Sequence, residues 1–210
     1  MTSSSAGTQC ACWDSASVPE TIRLFLAVEL PGEVLEALAH LQHELQRRGL
    51  EKLRWVRPEG IHLTLKFLGS TLAEKVPAIE DAVTEAVINA APHELMLGNL
   101  GTFGGSRPRV LWVDLKGEVD AVRRLQEKVE SALNDLGFER EERGWSPHLT
   151  LARVRPETAR EATGSIPHAI SKVKGPARVV PIHEVSLMRS VLQPSGAVYE
   201  RIAAFPLGGR

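Results

Sequence analysis

Two short segments of this chain carry the same arrangement of reactive groups: His62-Leu63-Thr64-Leu65 and His148-Leu149-Thr150-Leu151. An imidazole whose ordinary pKa lies near 6.5 is present in both protonation states around neutrality. Two imidazoles facing one another therefore supply a base that takes a proton from attacking water and an acid that gives one to a leaving oxygen. A threonine hydroxyl two residues further on adds a neutral donor for a non-bridging phosphoryl oxygen, stabilising developing charge without a second full charge that would hold the phosphate product. The set suits phosphodiester chemistry and requires no metal. A metal reading is weaker, because neither segment is accompanied by His-x-x-x-His spacing or an acidic cluster.

Positions two apart in a strand share a face at about 6.6 to 6.8 Å. His62 and Thr64 thus project together while Leu63 and Leu65 turn to the core, and the second segment does the same. A lone His-Leu-Thr-Leu strand is more often structural, its histidine hydrogen-bonded within a sheet. The frame around the two copies reverses that. Both halves read strand, Gly-Glu-Val, amphipathic helix ending in glycine, then His-Leu-Thr-Leu: Gly32 precedes His62 by 30 residues and Gly117 precedes His148 by 31. This is internal duplication. Duplicated units that pack about a pseudo-two-fold axis bring His62 and His148 face to face.

The elements that must position these residues are set by periodicity. Ile22, Leu24, Leu26, Val28 and Leu30 alternate with Arg23, Phe25, Ala27 and Glu29, a strand with one apolar face. Val34, Leu35, Leu38, Leu41 and Leu45 keep helical spacing up to Gly49. A short segment at Leu53 to Val56 and a turn at Pro58-Glu59-Gly60 lead into the strand at Ile61 to Leu68; Leu72, Val76, Ile79, Val83 and Val87 mark a second helix. Strands at His93 to Leu100 and Arg109 to Leu115 flank the glycine-rich turn Gly101 to Ser106, which lacks the Gly-Lys-Ser/Thr ending of a nucleotide-binding loop. A third helix runs through Val119, Val122, Leu125, Val129, Ala132 and Leu136, and the strand at Pro147 to Ala152 comes next. Pro156 to Gly175 is polar and poorly periodic, and two more strands are expected at Val185 to Val191 and Val198 to Phe205.

Composition narrows the field. Twenty-five Lys plus Arg balance 26 Asp plus Glu in 210 residues, so a basic body that coats DNA by counterion release is excluded and any nucleic-acid contact must be local. No apolar run approaches the roughly 18 to 20 residues that span a bilayer, and the N-terminus does not read as a signal peptide. A cytoplasmic monomer that makes no use of a membrane is the expectation. Cys10 and Cys12 lie in a Ser/Thr/Ala-rich leader and cannot staple a core. Residues 1–20 are read as this flexible leader, and residues 21–210 as one domain of two interlocked lobes.

Several stretches together resemble a known family: Arg23-Leu24-Phe25-Leu26-Ala27, Leu53-Arg54-Trp55-Val56, Ile61 to Gly69, Arg109 to Val113, Pro147 to Arg153, and Leu187-Met188-Arg189-Ser190 with Gly196 to Tyr199. The chain resembles the two-histidine phosphoesterases, and more closely the bacterial RNA 2′,3′-cyclic phosphodiesterases, also called 2′-5′ RNA ligases. The resemblance implies a bilobal α+β fold, with pseudo-two-fold duplicated antiparallel sheets lining a central cleft and helices on the outside. It implies cofactor-free hydrolysis of a terminal 2′,3′-cyclic phosphate on RNA to a 2′-phosphate, with His62 as general acid, His148 as general base, and Thr64 and Thr150 holding the phosphate. Partners are then RNA 3′ ends bearing the cyclic phosphate, or small cyclic nucleotides. Alternatives are ATP-independent 2′-5′ ligation at the same site and a non-catalytic module that binds RNA ends or nucleotides.

Phe25, Lys66, Arg153 and Tyr199 are the candidate substrate-binding residues. Arg54, Arg57, Lys66, Arg143, Arg153 and Arg155 form a basic rim if they converge. Strict alternation puts Arg153 on the leucine side of its strand, so it reaches a phosphate only if the strand ends or bulges there. Among the aromatic residues Phe25, Trp55, Phe103, Trp145 and Tyr199, Phe25 is the best stacking platform, because it stands opposite the apolar face of its strand.

Overall fold

Leu24, Leu26 and Val28 are buried beneath the helices while Phe25 and Ala27 point to the other face, so the first alternation forms strand β1 (Thr21–Glu29) as its pattern requires. The computed structural model describes residues 19–208 except 143 and 195, and the side chain of Glu161 is also outside the described set. The leader and its two cysteines lie outside the described residues.

After β1 come helix α1 (Gly32–Leu45), the two-residue β2 (Arg54–Trp55), β3 (His62–Leu72) and α2 (Val76–Val87). The second half continues with β4 (His93–Phe103), β5 (Val110–Gly117), α3 (Val119–Asn134), β6 (His148–Arg153), α4 (Ala159–Ile170), β7 (Val179–Ile182), β8 (Glu184–Gln193) and β9 (Gly196–Pro206). All strands join one strongly curled antiparallel sheet in the order β7-β4-β5-β6-β3-β1-β8-β9, with β2 paired to β6. The order is palindromic in kind. Each side of the sheet holds four strands of this order, with its histidine strand innermost, and the two sides meet where Leu63 pairs with Leu149. These are equivalent residues of the duplicated segments, so the pseudo-two-fold axis passes between them.

Both histidine strands break register at the same place. Between Ala27 and Leu26 of β1, β3 advances from Thr64 to Lys66, leaving Leu65 without a partner; between Trp112 and Leu111 of β5, β6 advances from Thr150 to Ala152, leaving Leu151 without one. A bulge takes a residue out of the ladder and reverses the facing of the residues beyond it. Buried carbonyls need donors, and helices of the opposite half contribute them: Gln126 of α3 donates from Nε2 to the Leu65 carbonyl at 3.3 Å, and Gln42 of α1 donates at 3.0 Å to that of Leu151, which also accepts the Val56 amide at 2.9 Å. The helices are exchanged likewise. α2, which comes after β3, packs on α3, and α4, which comes after β6, packs on the Gln46–Leu50 continuation of α1.

The polar, poorly periodic stretch from Pro156 to Gly175, for which no element was expected, contains α4. Ala162, Ile166 and Ala169 form a buried stripe, and Pro167 near the helix end is tolerated within it. Alanines carried the apolar period there, too weakly to stand out. Packing supplied the helix that propensity did not.

Gln126→Leu removes the donor for the Leu65 carbonyl. A loss of about 1 to 3 kcal/mol, the usual cost of a stranded buried polar group, is expected in chemical denaturation.

Candidate active site

The open face of the sheet gathers the duplicated residues. His62, Thr64, His148 and Thr150 are all half-buried on it, while Leu63, Leu65, Leu149 and Leu151 are buried on the helix side. Each imidazole is fixed in the same way. His62 Nδ1 lies 2.9 Å from the Gly60 carbonyl, and His148 Nδ1 lies 2.8 Å from that of Ser146. A carbonyl oxygen only accepts, so Nδ1 carries the proton and Nε2 is the nitrogen left to exchange one. Neither threonine hydroxyl has a partner among the described residues.

Aromatic rings hold both imidazoles. Phe25 lies 4.8 Å from the His62 ring at 31°, and Tyr199 stands edge-on to it at 5.0 Å. Phe103 stands edge-on to His148 at 4.8 Å and leans on Trp112, 5.1 Å away. Trp112 lies flat across β4 only because its neighbour is Gly101: a Cβ there would come within 2.2 Å of the indole. A carboxylate also stands in register with each histidine, Glu29 opposite His62 and Asp114 opposite His148. Glu29 accepts from Ser186 Oγ at 2.8 Å and pairs with Arg201 at 3.2 Å, and Asp114 accepts from the Asn99 amide. Periodicity could have shown both acids, since each stands opposite the leucine face of its own strand.

Burial pushes the His62 imidazole down to about 4; its bond to Gly60 and the charge of Glu29 oppose the shift, and Arg153 adds to it. His62 is therefore neutral at pH 7 when nothing negative lies against it.

Each candidate binding residue takes a definite place. Arg153 is exposed on the open face, turned there by the bulge at Leu151, and is close enough to act on His62. Arg54 stands opposite it across the β2–β6 pair. Arg57 and Arg155 are exposed, and Arg143 is outside the described residues. Tyr199 borders the His62 pocket. Phe25 is on the open face but only 3% exposed, closed over by His62, Tyr199 and Phe67; it supports the site and offers no free stacking face. Lys66 is a correction. The Leu65 bulge turns it to the helix side, where it is 5% exposed, 2.6 Å from Glu130 and 2.7 Å from the Glu139 carbonyl. Phe67 takes the open face instead and is 68% exposed. Its sequence signal was the leucine spacing, which lengthens from two between Leu63 and Leu65 to three at Leu68. Trp55 and Trp145 are spent on structure, donating to the carbonyls of Leu50 and Thr64. Among the described residues no group of three or more His, Cys, Asp or Glu is arranged to hold a metal ion.

The profile of the 2′-5′ RNA ligase superfamily matches residues 39–193. The chain belongs to that superfamily. It is 31% identical over 188 residues, 89% of its length, to a Methanothermobacter thermautotrophicus protein named RNA 2′,3′-cyclic phosphodiesterase, of which it covers 99%. It is 33% identical over 186 residues, 88% of its length, to a Geobacillus stearothermophilus protein of the same name, but spans only 57% of that relative. Among solved structures it is similar to E. coli LigT complexed with 3′-AMP, with a TM-score of 0.74, 25% identity, and coverage of 90% of this chain and 99% of LigT.

The burial of His62 and of Lys66 each has a measurable outcome. The unfolded chain binds a proton at His62 that the folded chain refuses between pH 6.5 and about 4, so stability is full above 6.5 and falls as pH drops through that window. A contribution on the order of 3 kcal/mol should vanish from denaturation curves of His62→Gln. Lys66→Met leaves Glu130 buried alone and should cost about 3 to 5 kcal/mol. Adding Glu130→Leu should recover most of that loss.

Proposed function

We propose that the protein is an RNA 2′,3′-cyclic phosphodiesterase that hydrolyses the cyclic phosphate to a 2′-phosphate by general acid and base catalysis at His62 and His148, without a metal or other cofactor. The observation that carries this reading is the matched pair of imidazoles, each with Nδ1 committed to the carbonyl two residues before it and Nε2 left for the substrate. The names of the relatives in this family agree with it.

Nε2 of His148 takes a proton from water as its oxygen bonds to phosphorus. The bond from phosphorus to O3′ breaks, and Nε2–H of His62 gives its proton to that oxygen. The 2′-phosphate leaves with the two imidazoles in exchanged protonation states, and solvent protons restore them. Thr64 and Thr150 donate to the non-bridging oxygens, where negative charge builds in the transition state. A phosphate monoanion against Nε2 opposes the burial that lowers His62 and supplies the protonated form an acid requires. Arg54 and Arg153, like charges facing across a strand pair, repel one another; a phosphate between them relieves that cost and receives the 3′ end of an RNA. Ligation is the same displacement with an RNA 5′-hydroxyl in place of water: His148 takes the hydroxyl proton as its oxygen bonds to phosphorus, and O3′ leaves with the proton of His62.

An RNA oligonucleotide ending in a 2′,3′-cyclic phosphate should be converted to the 2′-phosphate in EDTA, with a bell-shaped pH dependence. His62→Ala and His148→Ala should each lose at least about a hundredfold in rate while keeping the native circular dichroism spectrum. Full activity in either variant overturns the mechanism. Incubation with a second RNA carrying a 5′-hydroxyl measures joining directly.

A further inference from the structure

The two imidazoles are fixed by the same bond, but the carbonyls that fix them are not equally secured. Gly60, which holds His62, sits in a turn closed by its own backbone: its amide donates to the Arg57 carbonyl at 2.9 Å and the Ile61 amide to that of Pro58 at 3.0 Å. The Val56 amide ties the start of this segment to the Leu151 carbonyl. Ser146, which holds His148, lies in the irregular segment 139–147 between α3 and β6. Among the described residues no main-chain to main-chain hydrogen bond engages that segment. Side chains hold it. Lys66 donates to the Glu139 carbonyl at 2.7 Å, Arg140 donates to Ser131 Oγ at 3.1 Å, and the Trp145 indole donates to the Thr64 carbonyl at 2.9 Å. Of these three, the last alone adjoins Ser146. The bond from His148 to Ser146 is exposed, where that from His62 to Gly60 is partly buried, so water competes for Nδ1 of His148 as soon as the carbonyl drifts.

From this asymmetry, and resting on the catalytic reading of the same site, we propose that Trp145 is a positioning residue for the general base: by anchoring its segment to the Thr64 carbonyl, it keeps the Ser146 carbonyl against Nδ1 of His148. A neutral imidazole carries its proton on either nitrogen, and the hydrogen bond made by one decides which. With Ser146 in place the proton stays on Nδ1 and the lone pair of Nε2 faces the substrate. Without it the proton reaches Nε2, and that tautomer cannot take one from water. The anchor also sets a distance. Trp145 hangs from the main chain of the residue whose hydroxyl donates to the phosphoryl oxygens, so the base is located relative to the phosphate it serves. His62 needs no counterpart, because a backbone turn holds its carbonyl. The indole does in one half what the turn does in the other.

Trp145→Phe keeps an aromatic ring against the core and deletes the donor. Trp55→Phe deletes an indole bond of the same kind, to the Leu50 carbonyl at 3.0 Å, which orients no histidine, and serves as the control. Long-range proton–nitrogen NMR spectra of the full-length protein, isotope-labelled at histidine and held at about pH 8.5 where an imidazole of ordinary pKa is neutral, read the tautomers; His148→Gln assigns the signal. The wild-type protein should show His148 with its proton on Nδ1 alone. Trp145→Phe should show both tautomers, lose about tenfold in kcat on an RNA ending in a 2′,3′-cyclic phosphate, and keep KM within about twofold. Trp55→Phe should change neither the tautomer nor kcat. A proton on Nε2 in the wild-type protein overturns the proposal with no variant needed. So does an unchanged His148 tautomer in Trp145→Phe, whatever happens to its rate. Mixed tautomers with unchanged kcat leave Trp145 holding His148 and overturn the base role. If the wild-type protein hydrolyses nothing, the catalytic reading fails, and the comparison of tautomers alone decides whether Trp145 positions His148.

Discussion

The site depends on how two strands dispose of the carbonyls that their bulges remove from the ladder. A buried carbonyl without a donor costs enough to move a strand, and the two in question, at Leu65 and Leu151, lie three residues beyond the histidines. Gln126 settles that cost for Leu65 from a helix of the opposite half, and Gln42 shares it with the Val56 amide for Leu151. With the bulges so held, the face of each strand changes at a set point. His-x-Thr stands on the open side before it, and Phe67 or Arg153 stands there after it. Strict alternation would have delivered Lys66 to the site and buried Phe67. A displaced glutamine would therefore alter the chemistry as well as the packing.

Around that backbone symmetry the electrostatics are uneven. His62 sits between Phe25 and Tyr199 and is depleted of water, so its neutral form is favoured until an anion arrives. A bound anion would oppose that desolvation and favour the protonated imidazole. Glu29 and Asp114 hold matching places, but their attachments differ, one to Ser186 and Arg201, the other to the Asn99 backbone amide. The halves share a geometry and divide the labour through their neighbours.

Much of this was legible in the residues. The duplicated His-Leu-Thr-Leu segments and their common frame announced the duplication and the meeting of the two histidine strands, because a period of two or 3.6 survives in any sequence that buries one face. The bulges were written more faintly, in a leucine interval of three where two was expected. Their consequence for Lys66 and Phe67 depends on one-residue parity that composition does not record. Arg153 was recognised as conditional on such a bulge, and the bulge is there. Helix α4 escaped because its buried stripe is mostly alanine. The burial of Phe25 escaped because covering requires Tyr199 and Phe67, which come from strands distant in sequence.

The reciprocal glutamines bear on ancestry. Each half completes the reactive strand of the other, through a helix it contributes and a leucine pair at the axis. Two copies of a single ancestral unit, associating through that leucine, would have built the same arrangement about a true two-fold axis, with two identical and interchangeable histidines. Fusion into one chain releases the copies from identity. Phe67 and Arg153 mark where they diverged, and a homodimer could never have told its leaving group from its water.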